Sequence, residues 1–177
     1  MLAGVVKACY VVALDLAASP PACRVSDGEW TSAWVRWHSI AAGKARHWRA
    51  PTMGEQGTLV SASGDVSQGT FIPGLYGNAG APPDNRDHVE VWRFDDGGSL
   101  IYDWQAKSYS ITLPSGTVTI KVGSTETVVT DSAVTVTTGN INLIASVNID
   151  GPLHVTQNIT SDASIIDTTG NTKNHTH

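Results

Sequence analysis

From Tyr109 to Ile159 the chain alternates between small or medium aliphatic residues and Thr, Ser, Asn or Lys, and this pattern limits the possible folds more than any other feature. The apolar set is Ile111, Leu113, Val118, Ile120, Val122, Val128, Val134, Val136, Ile141, Leu143, Ala145, Val147, Ile149, Leu153, Val155 and Ile159, mostly spaced by two. Successive side chains of a strand point to opposite faces, so a period of two held this long predicts β-structure throughout. The set contains no Trp and no Phe, so any core it fills is narrow. About seventy residues of narrow strand cannot bury enough surface alone, and a lone sheet with open edges invites aggregation. Winding three chains around one axis answers both demands, with Gly116, Gly123, Gly139 and Gly151 expected at the corners. A β-sandwich would carry larger aromatic core residues. A disordered Ser/Thr-rich stalk would not keep so regular a β-branched alternation.

The sequence closes on His175-Thr176-His177. Alternate residues of an extended strand sit roughly 6.6 Å apart on one side, so His175 and His177 of one chain can approach a common point. Three parallel copies would bring six imidazoles to the axis. Six nitrogen donors suit an octahedral first-row metal such as iron better than tetrahedral zinc. His154 is a further imidazole, but its place between Leu153 and Val155 puts it on the outward face of a strand. An iron enzyme of the cupin type also uses His-x-His, yet needs further ligands downstream, and none follows in this sequence.

The first half has a different texture. All six Trp lie at or before Trp104 in a chain of 177 residues and net charge −5, so composition divides the chain into a domain and an appendage. The mild acidity argues against nonspecific nucleic-acid binding as the main task. Short β-rich runs at Val5 to Leu16, Cys23 to Val25, Ala33 to Trp37, Gly57 to Ala62 and Thr70 to Leu75 suit a small barrel such as the OB-fold. Pro82, Pro83 and Gly80 mark a linker, and Asp95-Asp96-Gly97-Gly98 supplies a tight hairpin between strands at Val89 to Phe94 and Leu100 to Trp104. Cys9 and Cys23 flank a hairpin; a cross-strand disulfide is conceivable there, but two buried thiols are the simpler expectation. The apolar run Val5 to Ala18 is interrupted by Lys7 and Asp15, so it reads as a strand and not as a signal peptide.

Trp48-Arg49-Ala50-Pro51-Thr52-Met53-Gly54-Glu55-Gln56-Gly57, then Gly64-Asp65 and Phe71-Ile72-Pro73-Gly74-Leu75-Tyr76, followed by a Pro-bearing linker, resemble the OB-fold domain of the baseplate assembly protein V family. These proteins are the central spikes of contractile phage tails and of R-type pyocins. Arg93-Phe94-Asp95-Asp96-Gly97 with Leu100-Ile101-Tyr102 resembles the start of the family's β-helical shaft, and His175-Thr176-His177 its apex metal motif. Two features depart from the family pattern: the first strand begins almost at once, without the helical segment usual before the barrel, and the sequence stops on His177. A truncation would explain the second, or a tip with little covering the metal.

The resemblance implies an all-β homotrimer: an OB-fold domain at 1–77, a linker at 78–87, a triple-stranded β-helix at 88–165 and an apex at 166–177. It further implies one iron ion per trimer held by His175 and His177 of three chains, baseplate hub and tail-tube proteins as partners, and mechanical contact with the target bacterial outer membrane. The location it implies is the tip of a virion or pyocin tail, after synthesis in the host cytoplasm. Trp34, Trp37 and Trp48 interleaved with Arg36, Arg46 and Arg49 could form a stacking platform for single strands, which leaves a nucleic-acid- or glycan-binding OB module on a trimeric stalk as the alternative. Barrel core and intersubunit packing, with Arg covering aromatic faces, is the reading adopted, with no nucleic-acid partner. Asp95 and Asp96 could suggest the paired carboxylates of a glycosidase, but adjacent turn residues point in different directions. No nucleophile elbow, phosphate loop or cysteine–histidine pair is visible, and an enzyme is not expected.

Overall fold

The computed structural model describes residues 6–163 and falls into two compact units, Met1–Gly116 and Thr117–His177. Five strands build the barrel of the first: β1 (Val6–Asp15), β2 (Ala22–Ser26), β3 (Arg36–Trp37), β4 (Gln56–Val60) and β5 (Thr70–Leu75). β1 is long enough to serve two neighbours, pairing antiparallel with β4 through Val6–Tyr10 and with β2 from Tyr10 onward, past an irregularity between Val11 and Ala13. β4 pairs with β5, and β3 runs parallel to β5. The last seam is closed by Cys23 and Val35, which exchange backbone hydrogen bonds of 2.8 and 2.9 Å. The circular order β1–β2–β3–β5–β4 is that of the OB-fold.

Alternation along the strands fills the barrel. Cys9 and Val11 from β1, Cys23 and Val25 from β2, Leu59 from β4, Phe71 from β5, and Val35 from the closing seam form one buried cluster. Phe71 is its largest member and is wholly buried. Space for the ring comes from Gly57, where an added Cβ would lie 2.7 Å from two Phe71 ring atoms and collide with the Ile72 carbonyl oxygen. Ser32, also fully buried, is satisfied: its Oγ accepts from Val25 N at 2.9 Å and donates to the Ala33 carbonyl at 2.6 Å. The two cysteines are free buried thiols, as the simpler expectation had it.

The segment before β4 is fastened by Glu55. Its carboxylate takes both guanidinium nitrogens of Arg49, at 2.6 and 3.0 Å, and the Thr52 amide at 2.8 Å. Burial works against the charge, but the Arg49 hydrogen bonds and the Thr52 amide outweigh it and hold the carboxyl below the usual carboxylate range.

A second sheet in the same unit has three antiparallel strands, β6 (Val89–Arg93), β7 (Ser99–Asp103) and β8 (Ser108–Thr112). The β6–β7 turn is the expected one: Phe94 N donates to the Gly98 carbonyl at 2.9 Å, Asp96 Oδ1 accepts from Gly98 N at 2.9 Å, and Gly97 takes φ 89°. The second unit contains the meander β9 (Val118–Val122), β10 (Thr125–Val129) and β11 (Val134–Thr137). Of the four glycines expected at corners, Gly116, Gly123 and Gly151 adopt positive φ and Gly139 does not.

Beyond β11 the expectation of β-structure throughout is not met within one chain, because residues 138–163 form no strand. The alternation there fixes which side chains could share a face, but a strand also needs a partner backbone, and the described residues supply none.

Two outcomes follow for the barrel. Gly57→Ala should destabilise it by about 1–3 kcal/mol through overpacking against Phe71, read as a lower thermal midpoint. Glu55→Gln should cost about 1 kcal/mol at neutral pH, a figure discounted for the half-exposed Arg49. Because the folded carboxyl is depressed, its contribution is complete above the ordinary value of about 4.3 and is lost as pH falls through the folded value. The gap in thermal midpoint between wild type and Glu55→Gln should therefore close on acidification.

Candidate functional site

The feature of the second unit that most needs an explanation is its exposed apolar stripe. Ile120 is 65% exposed, Val122 77%, Val134 68% and Leu143 67%, and Ile144 reaches 97%. Val136, Ile141, Val147, Ile149, Leu153 and Ile159 are also exposed. One meander is a single layer, and among the described residues of its unit no second layer of strands packs on either face. In the first unit the sheet β6–β8 likewise leaves one face open, where cross-strand register lines up Glu90, Tyr102 and Tyr109 beside Trp92, Leu100 and Ile111. Trp92 donates its indole N–H to Glu90 at 3.0 Å, which turns the carboxylate along the sheet.

The barrel's aromatics are arranged differently from the interleaving that the sequence suggested. Trp37 packs against the core, and Trp48 leans on it with ring centroids 5.6 Å apart at 54°. Trp34 is half exposed and is covered by Arg24, whose guanidinium carbon lies 5.8 Å from the ring centroid. Arg36, the sequence neighbour, does not cover it; β-pairing brings Arg24 to the ring from another strand. Lys7 sits 5.3 Å from the Trp30 ring centroid and pairs with Asp27 at 2.9 Å. That pair, followed by the Trp30 and Glu29 amides, pulls the Asp27 carboxyl down to about 2.

The two thiols and the Asp96 carboxylate are accounted for within the fold. Burial and the neighbouring Cys9 push the Cys23 thiol up to about 11, and burial also raises Cys9, so neither offers a thiolate at neutral pH. Asp96 is committed to the β6–β7 turn, and Asp95 beside it makes no paired site. Among the described residues no group of three or more His, Cys, Asp or Glu side chains could hold a metal. His175 and His177, the proposed ligands, lie outside the described residues. His154 is exposed. Among the described residues no helix is long and apolar enough to cross a membrane.

The comparisons follow the two textures of the chain. Residues 7–76 match the family model described as the type VI secretion system/phage-baseplate injector OB domain. Residues 90–161 match the one described as Gp138, beta helical trimerization domain. The chain is also 29% identical over 129 residues to the spike protein of Escherichia phage P2, across 72% of this chain and 60% of that protein. The Arg24–Trp34 and Lys7–Trp30 contacts are encoded by no local spacing in the sequence. The chain thus carries an OB domain of the type VI secretion system/phage-baseplate injector type followed by a Gp138-type β-helical trimerization domain, and it is similar over most of its length to a phage spike protein of which it spans 60%.

Proposed function

We propose that the protein is a homotrimeric central spike at the tip of a contractile tail, piercing the target bacterial outer membrane mechanically when the sheath contracts. The observation that carries this reading is the exposed aliphatic stripe of the second unit. Nine of its residues, from Ile120 to Ile159, are more than half exposed in one chain, and Ile144, outside the alternating set, is exposed as well. Each Val, Leu or Ile left in water forgoes roughly 1.5–3 kcal/mol of burial. Three chains wound together bury the stripe along a common axis and give residues 138–163 the ladder partners they lack in one chain. The family model's own description of residues 90–161 as a trimerization domain supports the same state.

A closed trimeric prism suits a piercing device. Every backbone group on its surface is paired with a neighbour, so no edge is available from which to unravel. The organisation proposed is a barrel collar at 1–77, a connector at 78–87, the intertwined shaft over 88–165 and an apex at 166–177. The collar meets the baseplate hub and tail tube, and the apex meets the membrane. At the apex we place one iron ion, held by His175 and His177 of three chains. The donor set fits: six neutral imidazoles and no thiolate favour octahedral over tetrahedral coordination. The metal would fasten three chain ends where packing is thinnest, with binding energy that counts toward folding. No nucleic-acid partner and no hydrolytic activity are part of this reading.

Native mass spectrometry of the full chain should return a trimer, and a stable, fully folded monomer would refute the shaft. Val136→Asp or Leu143→Asp should abolish assembly, because each buries three carboxylates at one level of a narrow apolar axis; a normal trimer would show that these positions face outward. Elemental analysis of protein prepared without chelators should find one metal, iron, per three chains. His175→Ala with His177→Ala should remove it and leave the trimer intact. Acid should release it too, since protonation competes with metal below the free imidazole value of about 6.5. One metal per chain, or none, would exclude a shared apex site.

A further inference from the structure

Between Glu29 and Glu55 the chain contains Arg36, Lys44, Arg46 and Arg49 and no acidic residue. This segment therefore carries +4 in a chain whose total is −5, leaving −9 on the remainder. Arg49 is neutralised by Glu55, but among the described residues Arg36, Lys44 and Arg46 have no carboxylate at ion-pair distance.

The loop between β3 and β4, which bears Lys44, Arg46 and Arg49 while Arg36 lies in β3, is held in shape from within. Ser39 Oγ donates to the His47 carbonyl at 2.6 Å, His47 N donates to the Ala41 carbonyl at 2.9 Å, and Ala42 bridges to Arg46. A cleft of about 330 Å³ opens beside it, with His38 and His47 facing Ile40, Ile72 and Pro73. Ile40 is 80% exposed and Trp48 64%, both large apolar side chains on the same loop as Lys44 and Arg46.

We propose that the loop over residues 38–49 is a docking surface for an acidic polypeptide segment that places an apolar side chain in the cleft between Ile40 and Ile72. This deepens the reading of the barrel as the collar that meets other baseplate proteins. Trp, Arg and accessible aliphatic residues around a pocket are the composition of an interface centre. A loop already fixed by its own hydrogen bonds loses little freedom on binding. Its charge, opposite to that of the rest of the chain, selects an acidic partner and speeds the encounter. A nucleic acid fits less well. Trp37 and Trp48 are tilted against each other and so do not offer parallel stacking faces, and the acidic remainder of the chain repels a polyphosphate.

Fluorescence anisotropy with the full chain tests this, using three labelled probes: a peptide of Glu and Leu, a peptide of Glu alone, and oligo-dT. The Glu/Leu peptide should bind best, and more weakly as salt rises. Lys44→Glu with Arg46→Glu should weaken it about tenfold or more. Ile40→Ala should weaken the Glu/Leu peptide and leave the all-Glu peptide unchanged. Arg93→Glu with Lys107→Glu, the same charge change elsewhere, should have little effect. Failure of the Glu/Leu peptide to bind at low salt, equal losses in the control pair, or tighter binding of oligo-dT would overturn the proposal. So would conversion of the trimer to monomer by Lys44→Glu with Arg46→Glu, which would make a second copy the occupant. Native mass measured on the same samples separates the two readings: a wild-type trimer without peptide binding refutes this surface alone, and a wild-type monomer refutes the spike.

Discussion

Residues beyond Gly116 are governed by one constraint: an apolar stripe and its backbone must find partners, and a single antiparallel layer offers neither. The meander β9–β11 satisfies its own hydrogen bonds but leaves Ile120 and Val122 mostly in water. Further along, residues 138–163 keep the alternation without any ladder in the same chain. Exposed aliphatic side chains and an unpaired backbone both favour association, so partner strands would supply what the segment lacks. The proposed trimer is the arrangement that supplies them from copies of the same sequence.

The barrel obeys the opposite logic. Its core closes inside one chain, with the Phe71 ring occupying the space that Gly57 leaves open and Cys23 and Val35 sealing the last gap between strands. Among the described residues every buried polar side-chain atom has a partner. Its charges are also used locally: Glu55 ties the preceding segment through Arg49, and Asp27 holds Lys7 over Trp30. A self-sufficient module is thereby joined to one that depends on its neighbours, which suits a collar that must attach and a shaft that must resist unravelling.

The strands of the barrel and the Asp95–Gly98 hairpin were legible because each is written in local chemistry: alternation within a run, and Gly or Asp where a turn needs positive φ or a side-chain acceptor. The identity of the Arg that covers Trp34 was not. The local interleaving of Trp and Arg singles out no partner, whereas the barrel brings Arg24 across from β2. Likewise, Cys9 and Cys23 are close in sequence to the ends of a hairpin, yet Cys9 lies opposite Gly57 on β4 and Cys23 opposite Leu14. Contacts between strands depend on register, and register is a property of the closed barrel.

The sequence by itself determined that the barrel and the segments up to Thr137 are built of β-strands, that a Trp-bearing barrel precedes a narrow aliphatic segment, and where the turns between them fall. These follow from the period of the hydrophobic pattern and from residues whose backbone preferences act over four or five positions. Only the tertiary structure decided that the barrel closes through Cys23 and Val35, that Gly57 exists to admit Phe71, that Arg24 shields Trp34, and that residues 138–163 find no ladder partner among the described residues. Each of these depends on which distant backbones come within hydrogen-bonding or van der Waals reach, and a one-dimensional pattern specifies the faces of strands without specifying their neighbours.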